Sequence, residues 1–202
     1  MKGEAEMPER KELKEIIVVA PEDYAEFARQ LAQKISEQPG GKGTFWTTKQ
    51  YENKEFQLGR NQLAILLGDA DENPITKSRL PGIKNLCNHA GACFGFDATT
   101  AVAFGEGKLE QREEFQKVLE KCATILAGAS GVSSLGVSLA AAIVIYLPKT
   151  ILMPGLVKLA TQVRRKEMEK RLRTEQTKAA LTLFLAEHVH AWAGVKKKGQ
   201  PG

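Results

Sequence analysis

Hydrophobic residues fall first into short continuous runs, then into faces spaced three to four apart, then into one long uncharged stretch. Ile16–Ala20 (IIVVA) is apolar throughout and β-branched, which predicts a strand covered on both faces, as in a parallel sheet. Pro21, Glu22 and Asp23 open a helix, since proline is tolerated and acids are favoured in a first turn. Tyr24, Phe27, Ala28, Leu31 and Ile35 give that helix one apolar face, and Pro39-Gly40-Gly41 stops it. Thr44–Thr47 reads as a second strand, and Thr48 can cap a short helix carrying Tyr51 and Phe56. Leu63–Leu67 (LAILL) predicts a third buried strand, ended by Gly68-Asp69.

A polar loop, Ala70–Pro74, leads to a weak helix broken by Pro81-Gly82. Ala92–Phe96 and Thr100–Phe104 flank Asp97-Ala98-Thr99 as a β-hairpin. Leu109–Cys122 follows as an amphipathic helix with Leu109, Phe115, Val118 and Leu119 inward. This alternation predicts an α/β fold: a small Rossmann-like, mostly parallel sheet of about five strands, followed by an α-helical C-terminal half. The expected divisions are a polar tail (1–13), the α/β domain (14–121), a hydrophobic helical segment (122–163), a charged then amphipathic helix (164–195) and a basic tail (196–202).

Residues 122–148 hold 27 consecutive uncharged positions. As one helix they would extend roughly 40 Å, enough for a bilayer core of about 30 Å. Ser130, Ser134, Ser138 and Ala142 recur every four residues, a small-residue face suited to self-association by close helix packing. Tyr146 and Lys149 stand where interfacial anchors belong. A buried core helix accounts for the same composition. Arg164–Lys178 reads as an exposed, charge-laced helix with Glu167–Arg171 and Glu169–Arg173 pairs. Ala180, Leu181, Phe184, Leu185, His188, Val189 and Trp192 then make a wide apolar face before Gly194.

Charge sharpens this division. Residues 1–121 carry 17 Lys/Arg and 20 Asp/Glu, net −3, whereas residues 122–202 carry 12 and 4, net +8. The basic second half suits an anionic surface. Its Arg164–Lys178 stretch lacks interleaved aromatics and contains Glu, so specific nucleic-acid binding is not expected. Three cysteines are too few to staple 202 residues, which favours a reducing compartment. Residues 1–13 lack an apolar run and are rich in Glu, so neither a signal nor a transit peptide is expected. The expected location is the cytoplasm, with membrane association through residues 122–163. Basic residues after that segment and an unexported N-terminal domain place both flanks on one side, which one span cannot satisfy.

Chemistry-bearing motifs are few. No glycine follows the first strand and acids stand where an anion would sit, so the dinucleotide fingerprint is absent. Walker A is absent too, Gly105-Glu106-Gly107 is too short to count, and no cofactor is expected. Cys87, His89 and Cys93 are the one cluster of soft ligands, numerically sufficient for a catalytic zinc but lacking a fourth ligand or a general base. His188 and His190, two apart on a helix, cannot chelate together. Gly68, Asp69 and Asp71 lie at the carboxyl end of the third strand, where open α/β sheets bind ligands, with Trp46 and Thr48 on the same edge. The carboxylates there could serve as acid and base or hold Mg²⁺, or form an acidic surface loop.

Ile16–Ala20, Phe45–Tyr51, Leu63–Asp69 and Gln176–Gly194 carry a resemblance that covers most of the chain. The layout resembles a group of uncharacterised bacterial proteins with a small Rossmann-like N-terminal domain, a Gly/Ser/Ala-rich hydrophobic segment and a C-terminal amphipathic helix. The resemblance implies no activity. The expected function is a ligand-sensing or interaction domain, taking a small molecule, coupled to a membrane-associating, self-packing helical segment. The alternatives are an enzyme using the Asp69–Glu72 loop on a nucleotide-like substrate, and an oligomeric scaffold.

Overall fold

The computed structural model describes residues 15–37, 41–52, 58–59, 61–128 and 162–192. Six strands form one sheet: β1 (Glu15–Ala20), β2 (Lys42–Thr47), β3 (Gln62–Leu67), β4 (Asn85–His89), β5 (Ala92–Phe96) and β6 (Thr100–Gly105). Their spatial order is β2-β1-β3-β6-β5-β4. β2, β1, β3 and β6 run parallel, and β5 and β4 extend the sheet antiparallel. The helices are α1 (Ala25–Ser36), α2 (Thr48–Glu52), α3 (Pro74–Arg79), α4 (Arg112–Gly128) and α5 (Gln162–Trp192).

The chain is α/β with a mostly parallel sheet, as the apolar runs require. Ile16, Val18 and Ala20 face a core shared with α1, α4 and α5, whereas Ile17 and Val19 face a smaller core under α2 and α3. Because both faces of β1 are covered, its apolar run has no polar alternation.

Among the described residues the sheet has six strands, where about five were expected. The missed strand, β4, is polar (NLCNH) and lies at the edge of the sheet, so it needs no buried face. Thr47, not Thr48, caps α2: its N–H donates to Gln50 Oε1 (2.9 Å) and its Oγ1 accepts from Gln50 N (3.2 Å), a reciprocal cap.

Helix α5 differs most from expectation. Its first turns are exposed and carry the expected Arg171–Glu167 pair at 2.6 Å. From Leu172 onward Glu175, Gln176, Thr177 and Ala179–Leu185 are buried. Glu169 pairs with Arg165 rather than with Arg173, whose guanidinium turns toward the sheet. The backbone of α5 lies so close to β6 that a Cβ at Gly105 would overlap the Arg173 carbonyl oxygen and sit 2.6 Å from Gln176 Cβ.

No helix among the described residues is long and apolar enough to cross a membrane. Most of the uncharged stretch, with Ser130, Ser134, Ser138 and Ala142, lies outside the described residues, as do both terminal tails.

Candidate functional site

The strand order places β2 on one side of β1 and β3 on the other, so the connections from β1 and β3 leave to opposite faces. Open α/β sheets bind ligands at such a switch point, outside the carboxyl ends of the strands. Here β1 supplies Pro21–Tyr24, β3 supplies Gly68–Asn73 and β6 supplies Gly105–Gly107. Helix α5 crosses the same edge and adds Arg173, Gln176 and Thr177.

The loop after β3 is shaped by its own polar side chains. Gly68 turns the chain at φ +95°, a left-handed conformation that favours glycine. Asp69 Oδ1 accepts from the backbone N–H groups of Asp71 and Glu72, both at 2.9 Å. Fully buried Asn73 caps α3 by accepting from Ile75 N and Thr76 N, and its Nδ2 donates to Leu67 O at 2.8 Å. The turn therefore brings the Glu72 side chain back beside Gly68, within reach of Tyr24 from the segment after β1.

Glu72 is the hub. Tyr24 donates its hydroxyl to Glu72 Oε2 at 2.9 Å, and the Arg173 guanidinium donates to Glu72 Oε1 at 3.1 Å. The same guanidinium nitrogen lies 3.6 Å from Asp69 Oδ2. Thr177 ties the tyrosine hydroxyl back to α5 at 3.5 Å. Burial drives the Tyr24 pKa well above its ordinary value; the Thr177 bond opposes this and the Glu72 charge adds to it, so the hydroxyl stays a donor. Burial pulls Arg173 down, but its bond to Glu72 and the charges of Glu72 and Asp69 outweigh that and hold it protonated. Arg173 Nε is buried beside Gly107 and has no hydrogen-bond partner.

A second set anchors α5 beside this one. Gln176 Oε1 accepts from Gly107 N at 2.7 Å, and its Nε2 donates to Ala90 O at 3.0 Å. One buried amide thus joins α5 to two loops. At the rim, Lys170 pairs with Asp23 at 2.9 Å.

Of the residues expected at this edge, Gly68 and Asp69 lie at the switch point, and Asp71 is exposed on the loop. Trp46 is half-buried in the smaller core with its ring edge-on to Tyr51, and Thr48 begins α2. Sequence reading placed Glu72 only within the Asp69–Glu72 acidic loop and missed Tyr24, Arg173, Gln176 and Thr177 as site residues. The sole local signal was a run of polar residues, Thr174–Thr177, ahead of the apolar face of α5.

The Cys87-His89-Cys93 cluster does not assemble. The register pairs Asn88 with Cys93 and Cys87 with Phe94, so Cys93 faces the opposite side of the sheet from Cys87 and His89. No group of three metal-binding side chains occurs among the described residues. Burial, with the charge of nearby Glu106, pushes the Cys93 thiol up to about 12. His188 sits instead on the aromatic surface of β5, 5.6 Å from Phe94 and 5.3 Å from Phe96.

Compared with family models, curated proteins and solved structures, the chain matches none.

Proposed function

We propose that the chain is a ligand-sensing or interaction module in which α5 latches the switch point of the sheet. The observation that carries this reading is Arg173, which reaches from α5 to Glu72 and Asp69 where such folds take ligands. Binding is favoured over catalysis because both carboxylates already have structural duties. Asp69 Oδ1 holds the loop, and each Glu72 oxygen accepts a side-chain bond. A small molecule bearing phosphate or hydroxyl groups would compete for Arg173, and its buried Nε offers a donor to such a group. Occupancy would then loosen α5, whose N-terminal end directly follows residues 122–161.

A thermal-shift screen with nucleotides and phosphorylated sugars, run beside a turnover assay, tests this. A stabilising shift without turnover is expected. Turnover lost in Asp69→Asn would establish the enzymatic alternative acting through the Asp69–Glu72 loop.

The same proposal assigns residues 122–163 to membrane association and self-packing, and packing between α4 and α5 limits its form. Cys122 Sγ lies 4.0 Å from Ala179 O, and Lys121 pairs with Glu187 at 3.3 Å, so both flanks belong to one core. A single pass between them would put that core on two sides of a bilayer. The 33 residues from 129 to 161 extend at most about 50 Å as helix, short of two crossings of about 30 Å. Shallow, re-entrant insertion is the form that fits. Alkaline carbonate washing of membranes checks it: retention is expected, and full release would remove the membrane reading.

A further inference from the structure

Among the described residues, the edge of the sheet at β4 lacks the usual protection. Edge strands discourage association with inward charges, prolines, bulges or a covering element. Asn85–His89 holds no charge and no proline and pairs in unbroken register with β5. Leu86, 49 % exposed, is the one large hydrophobic residue fully at the surface among the described residues. The opposite edge contrasts with this, because β2 begins with Lys42, ion-paired to Glu15 at 3.3 Å.

The register shows which groups this edge offers. β4 and β5 are joined by the two-residue turn Ala90-Gly91 (φ 53° and 81°), closed by the pair His89–Ala92. A closing pair in such a hairpin exchanges both backbone bonds, and bonded pairs alternate with non-bonded ones. His89 and Cys87 therefore turn their backbone polar groups toward β5, whereas Leu86 and Asn88 turn theirs outward.

We propose that β4 is a dimerisation edge that pairs antiparallel with β4 of a second copy, about a two-fold axis at Cys87. In that register Leu86 faces Asn88 of the second copy and Asn85 faces His89, so no like charges meet. The exposed Lys84 comes level with the Ala90-Gly91 turn of the second copy. Beside that turn, Glu106 accepts from Asn88 at 2.8 Å on one oxygen and pairs with Lys108 at 3.2 Å on the other, so Lys84 approaches this carboxylate as a second cation, once on each side of the axis. This charge match favours a second copy over a foreign strand. The two Cys87 residues form a non-bonded pair, the closer kind, with side chains on one face. A five-residue edge is small for an interface, so the dimer dissociates at low concentration.

Sedimentation velocity of the full reduced chain, over about two decades of concentration, should show a monomer–dimer equilibrium. Leu86→Lys should weaken the dimer by at least about tenfold, as should Leu86→Pro, which deletes an outward N–H while sparing the β4–β5 ladder. Mild oxidation should trap a dimer that disappears in Cys87→Ser. Cys93 and Cys122 are buried, with thiols pushed up to about 12 and about 11, and should not substitute. Unchanged circular dichroism of Leu86→Lys separates lost pairing from lost folding. A monomer at every concentration would overturn the proposal, as would a dimer that both Leu86 variants leave intact or a crosslink that survives Cys87→Ser.

Discussion

Removing Arg173 tests whether α5 is latched at the switch point or merely rests there. Its side chain is 31 % exposed, and those of Glu72 and Asp69 are 19 % and 21 % exposed. Breaking a fully buried pair costs about 3–5 kcal/mol, and an exposed pair contributes about 0–1 kcal/mol. This cluster lies between those limits, so Arg173→Ala should cost about 2 kcal/mol, part of it packing of the aliphatic stem against the loop. For a chain of this size that lowers Tm by about 4–8 °C. Glu72→Gln keeps the Tyr24 bond but removes the charge, and should cost about 1 kcal/mol. The double variant should lose less than the sum, with a coupling energy of about 1 kcal/mol that falls as salt screens the half-exposed pair. Urea unfolding of wild type, both single variants and the double variant measures this directly. Coupling within about 0.3 kcal/mol of zero, the error of additivity, would mean that Arg173 and Glu72 are neighbours rather than partners, and the latch would fail with it.

Two further outcomes follow from packing and titration. Gly105→Ala should destabilise by about 3 kcal/mol or more, because its methyl group has no room under the α5 backbone; a thermal melt near wild type would show that α5 can shift away cheaply. Glu175, buried on α5, has its pKa raised from the ordinary 4.5 by burial, against the pull of Lys178. The fold thus binds this proton more tightly than the unfolded chain does, so stability present at pH 4.5 is lost as pH rises through the folded pKa. Glu175→Gln removes that loss, so its stability relative to wild type should rise between pH 4.5 and neutrality, and a difference that stays flat or falls in paired unfolding curves would refute the assignment.

The buried strands were legible because burial on both faces leaves a local trace. β1 and β3 are continuous apolar runs, and Asp97 marks the β5–β6 turn by accepting from Thr99 N and Thr100 N. β4 left no such trace, since an edge strand needs only its ladder of backbone bonds. The site was half legible. Gly68-Asp69 marked the end of a buried strand, and ligands bind at such ends. Nothing local connects Arg173 to Glu72, 101 residues earlier, and the i,i+4 rule assigned Arg173 to Glu169 instead.

Amino-acid order by itself determined which segments bury themselves, because hydrophobic periodicity is a property of neighbouring residues. It also placed the basic charge in the second half and denied the chain a phosphate-binding glycine loop after β1. Tertiary structure decided what the polar residues do. Pairing register sent Cys93 to the opposite face from Cys87 and His89, since a strand alternates its side chains and hairpin geometry fixes the phase. Strand order put the ends of β1 and β3 side by side, and the small residues of β6 let α5 close over them. A carboxylate that reads as an acidic surface loop thereby becomes the partner of a distant arginine. Coulomb attraction and hydrogen bonds act through space, and only the fold sets those distances.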